Sequence, residues 1–274
     1  MFKKMFPSPA AQILLTLGLV IMTAPFIWMV LTSLKAPNEA ISMPPKWIPS
    51  VFRFDNYAKA WNAAPFFRYF SNSLIVAVVT TSVQQITGLL AAYAFARMKF
   101  PGRERIFVLL LSTMMIPPYV LLIPNYVMLS RLGWIDTYKA LIVPFFASAF
   151  NIFFLRQHIQ TIPQDYFDSA SIDGCTELKM LFYIVAPMSI PVLLTTSIFT
   201  FVASWNSFMW PLIVTNSANM RPLQVGLAIF AQDFTTDWTL LMAASTFAIF
   251  PIIIIYFIAQ RFFVHGTAAS GLKG

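Results

Sequence analysis

The run "AQILLTLGLVIMTAPFIWMVLTSL", residues 11–34, carries no charged side chain from end to end. Crossing the hydrocarbon core of a bilayer takes about 20 largely apolar residues, and this run meets that length. The start "MFKKMF" resembles the basic n-region of a signal peptide. The apolar stretch is longer than an h-region, and no A-x-A-like cleavage site follows, so it reads as a signal anchor. Five more segments qualify as spans, at about 72–96, 106–130, 138–157, 190–215 and 239–262. A single segment in lipid can satisfy its own backbone only as a helix. The expected fold is therefore all-α: a polytopic membrane protein with six transmembrane helices in one domain over residues 1–274.

Composition points the same way. The chain is 58% hydrophobic and 10% charged, against about 25% charged in soluble domains. The net charge of +8 is not gathered in one run, as a nucleic-acid site needs, but falls between apolar spans, so no nucleic-acid partner is expected. Lys3, Lys4, Arg97, Lys99, Arg103, Arg105, Arg156, Lys179, Arg261 and Lys273 would lie on one side. The short loops of the other side hold Arg131, Lys139 and Arg221, and the long first loop spreads its five cations thinly. Positive charge retained inside places both termini in the cytoplasm. Pro25, Pro117, Pro118, Pro124, Pro144, Pro211 and Pro251 fall within spans. The density of "MIPPYVLLIP" (115–124) predicts a bent third span.

Four of the ten acids lie in "QDYFDSASIDGCTELK", residues 164–179, between spans four and five and so in the cytoplasm. A metal or catalytic reading finds little support. His158 and His265 are the only histidines, Cys175 is the only cysteine, and H-E-x-x-H and G-x-S-x-G are missing. A docking element fits better. Thr161 and Gln164 predict a capping box, with Pro163 in the first turn. Gly174 predicts a left-handed stop, and Thr176 a cap for a second helix running to Pro187. The coupling segment is thus 161–187.

"DSASIDGCTELKMLFYIVAP" (168–187) resembles the EAA motif of ABC importer permeases. Asp168 stands for its Glu, Ser169 and Ala170 for its alanines, Asp173 and Gly174 for its Asp-Gly, Cys175 for the next Ala and Pro187 for the closing proline. "TSLKAPNEA", "NYAKAW", "NSLIVA", "AAYAFARMKFPGR" and "QRFFVHGTAASGLKG" are similar to the second, six-span permease subunit of maltose- and glycerol-phosphate-type systems. The resemblance implies an ABC type I importer permease fold, a second permease subunit, a cytoplasmic ATPase dimer and an extracytoplasmic solute-binding protein. It implies a sugar substrate in the bacterial inner membrane. It also implies no cofactor and no enzymatic activity on this chain, with ATP and Mg held by the partner ATPase. There is no G-x-x-x-x-G-K-[ST] loop here. Glycerol-phosphate or polyol cargo stays open.

By the same resemblance, Phe167, Asp168, Ser169, Ala170, Ile172, Asp173 and Gly174 would couple to the ATPase. Phe167 and Ile172 would give apolar contact. The tail from His265, small and flexible in composition, would reach the ATPase interface. Polar and aromatic groups inside spans mark a substrate path: Gln84, Asn151, Trp205, Asn206 and Trp210, with Gln85 and Ser204 nearby. A secondary transporter would need ionisable residues within spans, and none of the acids falls clearly in one. The outer loop 216–238, amphipathic over Leu223–Gln232, would meet the binding protein. Asp233 and Asp237 are candidate contacts there.

Overall fold

Two of the apolar runs bend where they meet proline. The computed structural model describes the backbone of residues 9–231 and 236–270, with side chains up to residue 260 apart from 229, 258 and 259. Among the described residues there is no strand. The α-helices are α1 (Pro9–Ser33), α2 (Pro37–Ala40), α3 (Asp55–Asn62), α4 (Phe66–Arg97), α5 (Arg103–Ser112), α6 (Leu122–Arg131), α7 (Tyr138–Ile142) and α8 (Ala149–Thr161). They continue with α9 (Gln164–Ile172), α10 (Glu177–Met180), α11 (Ala186–Met188), α12 (Ile190–Trp205), α13 (Met209–Val214), α14 (Leu223–Leu227) and α15 (Trp238–Ser270).

Four helical stretches are long and apolar enough to cross a membrane: Pro9–Ser33, Phe66–Arg97, Tyr138–Thr161 and Trp238–Phe257. Two bent pairs bring the number to six if each is one span. In the third span, Arg103–Met115 meets Pro118–Arg131 at 91°. The cause is local. A residue before proline is pushed out of the helical region, and Ile116 is extended at φ −81°, ψ 118°. Pro117 follows at ψ 129°. The second pair, Glu177–Met188 and Ile190–Trp205, bends by 78°. Pro187 and Pro191 cannot donate to the carbonyls four residues back, and a π-helical segment, Leu181–Val185, precedes them. The fifth span therefore differs from the 190–215 expected. Its helix stops at Trp205 and resumes at Met209 after a break.

Contacts group the chain into two units, Met1–Phe66 with Gly226–Pro251, and Phe67–Val225 with Ile252–Gly274. In the first, Asn56 Nδ2 donates to the carbonyls of Ser33 and Lys35, both at 2.8 Å. Lys35 is buried with its ammonium 3.9 Å from the Trp28 ring centre. Burial lowers its pKa. Tyr57 and Trp61 set their rings edge-on to Phe247.

The second unit holds two apolar clusters. One joins Leu89, Tyr93, Leu155, Ile159, Phe167, Leu181 and Val185, drawn from α4, α8, α9 and the π segment. The other joins Val76, Leu129, Leu141, Trp210 and Val214. Between α4 and α8 the approach is close. Asn151 Nδ2 donates to the Gln84 carbonyl at 2.9 Å, and a Cβ at Gly88 would lie 2.8 Å from that nitrogen. Gly88→Leu is expected to cost about 1–3 kcal/mol through overpacking, read as a lowered thermal midpoint of the purified protein in detergent.

The loop ends are tied by short polar side chains. Asp136, at φ 61°, accepts the backbone N–H groups of Asn216 and Ser217 at 2.9 and 3.0 Å. Burial pushes its carboxyl up, but the Ser217 and Asn216 hydrogen bonds outweigh it and hold the pKa below the usual value. A depressed folded-state pKa means the stabilisation is complete above the unfolded value of about 4 and is lost as pH falls through the folded one. The gap in thermal midpoint between wild type and Asp136→Asn is expected to close on acidification from pH 6 to pH 3. Asp237, a candidate partner contact by sequence, caps the start of α15. Its Oδ1 accepts from the backbone N–H groups of Thr239 and Leu240 and from the Thr239 hydroxyl. Asp233 lies outside the described residues. In the loop 216–238 the amphipathic stretch forms α14 and a 3-10 turn, Ala228–Phe230. The tail backbone continues α15 as helix to Ser270, while its side chains and residues 271–274 lie outside the described residues.

Candidate functional site: a docking helix and a polar cavity

The segment 164–174 forms a single helix, α9, closed by a left-handed glycine. Gly174 has φ +75°. Its N–H reaches the Ser171 carbonyl at 3.1 Å, and the N–H of Cys175 reaches that of Ala170 at 2.9 Å. This is the glycine stop expected from the sequence. Thr176 caps α10, accepting from the Lys179 N–H at 3.5 Å. The start differs. Thr161 Oγ1 turns back to the His158 carbonyl at 2.8 Å, and α9 begins at Pro163 with no side-chain cap. Ile162, ahead of Pro163, is extended at φ −69°, ψ 127°, and Thr161 is the last residue of α8, so the capping box is not made.

The residues assigned to coupling divide between two faces. Phe167 and Ala170 are buried within the chain's own core, so Phe167 cannot offer the outward apolar contact expected of it. Ile172 is 86% exposed. Asp168, Ser169, Asp173 and Gly174 are exposed with it, as is Tyr166, which the sequence reading did not assign to coupling. Two side chains that sequence reading treated only as topology signals, or passed over, hold the helix in place. Arg97, at the end of α4, donates to the Ile159 carbonyl at 2.8 Å, to the Ile162 carbonyl and to Gln164 Oε1 at 2.9 Å. Its guanidinium lies 4.1 Å from the Phe167 ring centre. Tyr93 OH donates to Glu177 Oε2. Nearby, Arg156 makes a two-point contact with Glu104 at 2.8 and 2.9 Å and lies 4.0 Å from the Phe107 ring centre.

The candidate path residues also separate. A cavity of about 480 Å³ is walled by Ser73, Val76, Thr80 and Gln84 of α4, by Leu141, Phe145, Ser148 and Phe150, and by Phe199, Thr200, Ala203, Ser204, Ser207, Trp210, Pro211 and Pro222. Gln84 and Trp210 belong to it. Gln84 Nε2 donates to the Phe145 carbonyl at 2.7 Å, and its Oε1 accepts from Thr200 at 3.3 Å. Trp210 donates Nε1–H to the Ala140 carbonyl at 3.0 Å, which fixes the ring. Trp205 is not on this wall. It is buried against Phe70 and Phe201, with ring centres 5.4 and 5.8 Å away. Asn151 is buried at the α4–α8 contact described above. Asn206 lies in the helix break, beside a second hollow shared with Trp210. Thr80, missed by sequence reading, lines the cavity with a buried hydroxyl that has no hydrogen-bond partner in the protein. Thr80 stands beside Thr81 in an apolar span, and nothing in the sequence separates the two. None of the described lining residues is ionisable, and no cluster of metal-ligating side chains occurs among the described residues.

Bent membrane-length helices, a capped helix–glycine–helix segment and an uncharged polar cavity define a membrane-embedded transport component. Residues 84–268 match the model of the binding-protein-dependent transport system inner membrane component family, and the chain belongs to that family. It is similar to the arabinooligosaccharides transport system permease protein AraQ of Bacillus subtilis (strain 168), at 36% identity over 91% of this chain and 90% of that one. It is also similar to the diacetylchitobiose uptake system permease protein NgcG of Streptomyces coelicolor, at 32% over 94% and 86%. In fold it matches a chain of a bacterial ABC transporter involved in import of the acidic polysaccharide alginate. The TM-score is 0.82 at 22% identity, over 94% of this chain and 99% of that one. A second structure is a bacterial alginate ABC transporter in complex with an alginate pentasaccharide-bound periplasmic protein. It matches at a TM-score of 0.66 and 14% identity, over 92% of each chain.

Proposed function

We propose that this chain is a permease subunit of an ATP-driven importer of neutral saccharides. The observation that carries the reading is the cavity: hydroxyl and amide groups from Ser73, Thr80, Gln84 and Thr200 beside the rings of Phe150, Phe199 and Trp210, with no charge among its described lining. Sugars present alternating hydroxyl edges and C–H faces, and sites for small ligands combine apolar walls with a few placed polar groups. A phosphorylated or uronic cargo brings an anion, whose burial without a cation is costly, so the lining favours neutral glycosides over glycerol-phosphate. AraQ and NgcG carry neutral-glycoside names, which supports this choice. The exposed face of α9, with Asp168, Ser169, Ile172, Asp173 and Gly174, docks on an ATPase subunit that holds ATP and Mg. A second permease subunit and a solute-binding protein complete the assembly. The transporter bound to a periplasmic protein supports that last partner.

The test is uptake by vesicles holding the assembled complex, with labelled arabinotriose, diacetylchitobiose and an alginate trisaccharide as probes. ATP- and binding-protein-dependent uptake of a neutral probe is expected. Trp210→Ala and Thr80→Val are each expected to lower the uptake rate, by about tenfold and threefold, with ATPase assembly unchanged. Uptake of the acidic probe alone, or uptake without ATP, would overturn the reading.

A further inference from the structure

We propose that α4 is the rigid link between the docking helix and the cavity, and that Arg97 and Tyr93 are the positioning residues that join it to the coupling segment. The inference rests on the reading of α9 as the ATPase-docking helix.

Arg97 gathers the corner where α8 turns into α9. It takes the Ile159 carbonyl, which also accepts the Ile162 N–H at 3.3 Å, and the Ile162 carbonyl, which lies in the linker. It also takes Gln164 in the first turn of α9, and Gln164 in turn donates to Asp168 Oδ1 at 2.9 Å. The guanidinium carbon lies over the Phe167 ring, 4.1 Å from its centre. A planar fork with five donors can serve three acceptors and a ring at once, and a lysine cannot. One turn earlier on α4, Tyr93 holds Glu177 at the start of α10. A single helix end therefore grips both arms of the helix–glycine–helix segment.

The same helix carries Ser73, Val76, Thr80 and Gln84 into the cavity wall. Its 32 residues contain no proline and no break. Gln84 and Arg97 are thirteen residues apart, about 20 Å along the axis. The alternative route from the coupling segment runs through α10 to α12 and must cross the π segment and the 78° bend. A straight helix transmits a displacement that such a bend absorbs. The Gln84–Asn151 contact at the cavity end and the Arg97–Ile159 contact at the docking end lock α8 to α4 at both ends, so the pair moves as one body.

Arg97→Gln, Arg97→Lys and Tyr93→Phe are to be compared with wild type in the full reconstituted complex, using arabinotriose as the transported probe. The readouts are ATPase subunit recovered with tagged permease, ATP hydrolysed, and sugar delivered per ATP. Recovery is expected within twofold of wild type for all three. Sugar delivered per ATP is expected to fall at least tenfold for both arginine variants and about threefold for Tyr93→Phe, which removes only a hydroxyl. Unchanged sugar per ATP in the Arg97 variants would overturn the link while leaving the docking reading intact. Loss of ATPase recovery in all three would overturn it too, because the residues would then serve docking rather than transmission. A wild-type complex that recovers no ATPase would instead refute the docking reading itself.

Discussion

Gly174→Val is expected to abolish ATP-driven uptake while leaving the permease inserted in the membrane. The effect comes from backbone rather than crowding. A Cβ at Gly174 would meet no atom within 4 Å, but φ is +75°, a region where an L-residue pays about 1–2 kcal/mol and a β-branched one more. The stop keeps two hydrogen bonds in register, from Gly174 N–H and Cys175 N–H. Straightening it displaces Thr176, and with it the cap of α10. The turn lies on the exposed side, so the long helices are expected to be unaffected and the docking proposed for α9 to take the penalty. The size of the defect should follow tolerance of the left-handed region. Gly174→Asn is expected to retain most uptake, Gly174→Ala less and Gly174→Val almost none. Equal uptake by all three would show that the turn is not needed.

Ile172→Asp is expected to reduce ATPase recovery with the purified permease by tenfold or more. Ile172 is the most exposed apolar residue of α9, at 86%. Burying such a side chain against a partner contributes about 1.5–3 kcal/mol, and a carboxylate in its place adds a desolvation cost. Since 1.4 kcal/mol is about tenfold in affinity, even the lower figure is visible in co-purification. Phe167→Ala is the control. Phe167 is 5% exposed and packed inside the chain, so this change is expected to cost about 3–5 kcal/mol of permease stability and to appear as a lower thermal midpoint. The pair separates loss of docking from loss of fold.

How far each feature was legible in sequence follows from how local its cause is. Apolar runs of the right length announce helices whatever their neighbours, so most of the spans could be read directly, though not the break after Trp205 in the fifth. The bend at Pro117–Pro118 and the stop at Gly174 arise from the backbone of the residues themselves, and they too could be read. The inward face of α9 could not. Phe167 and Ala170 point into the chain because Arg97, far away in sequence, supplies a ring contact and pairs the adjacent carbonyls. In so short a helix, with Ile172 apolar as well, spacing alone does not choose a face. Thr161 had two acceptable partners, its own helix and the next, and only the geometry at Pro163 decided between them. Trp205 was a candidate for the substrate path because it is an aromatic group inside a span, next to Asn206, yet Phe70 and Phe201 cover it. Pairing between distant elements, as in Arg156 with Glu104, leaves no periodic trace in sequence.

The most direct test places a single cysteine at the tip of α9, as Ile172→Cys with Cys175→Ser, and follows its reaction with a membrane-impermeant maleimide. In inside-out vesicles lacking the ATPase subunit, rapid labelling is expected. With the ATPase subunit present, the rate is expected to fall at least tenfold, and intact cells are expected to remain unlabelled. Labelling of intact cells, or an equal rate with and without the ATPase in vesicles active for uptake, would contradict the account.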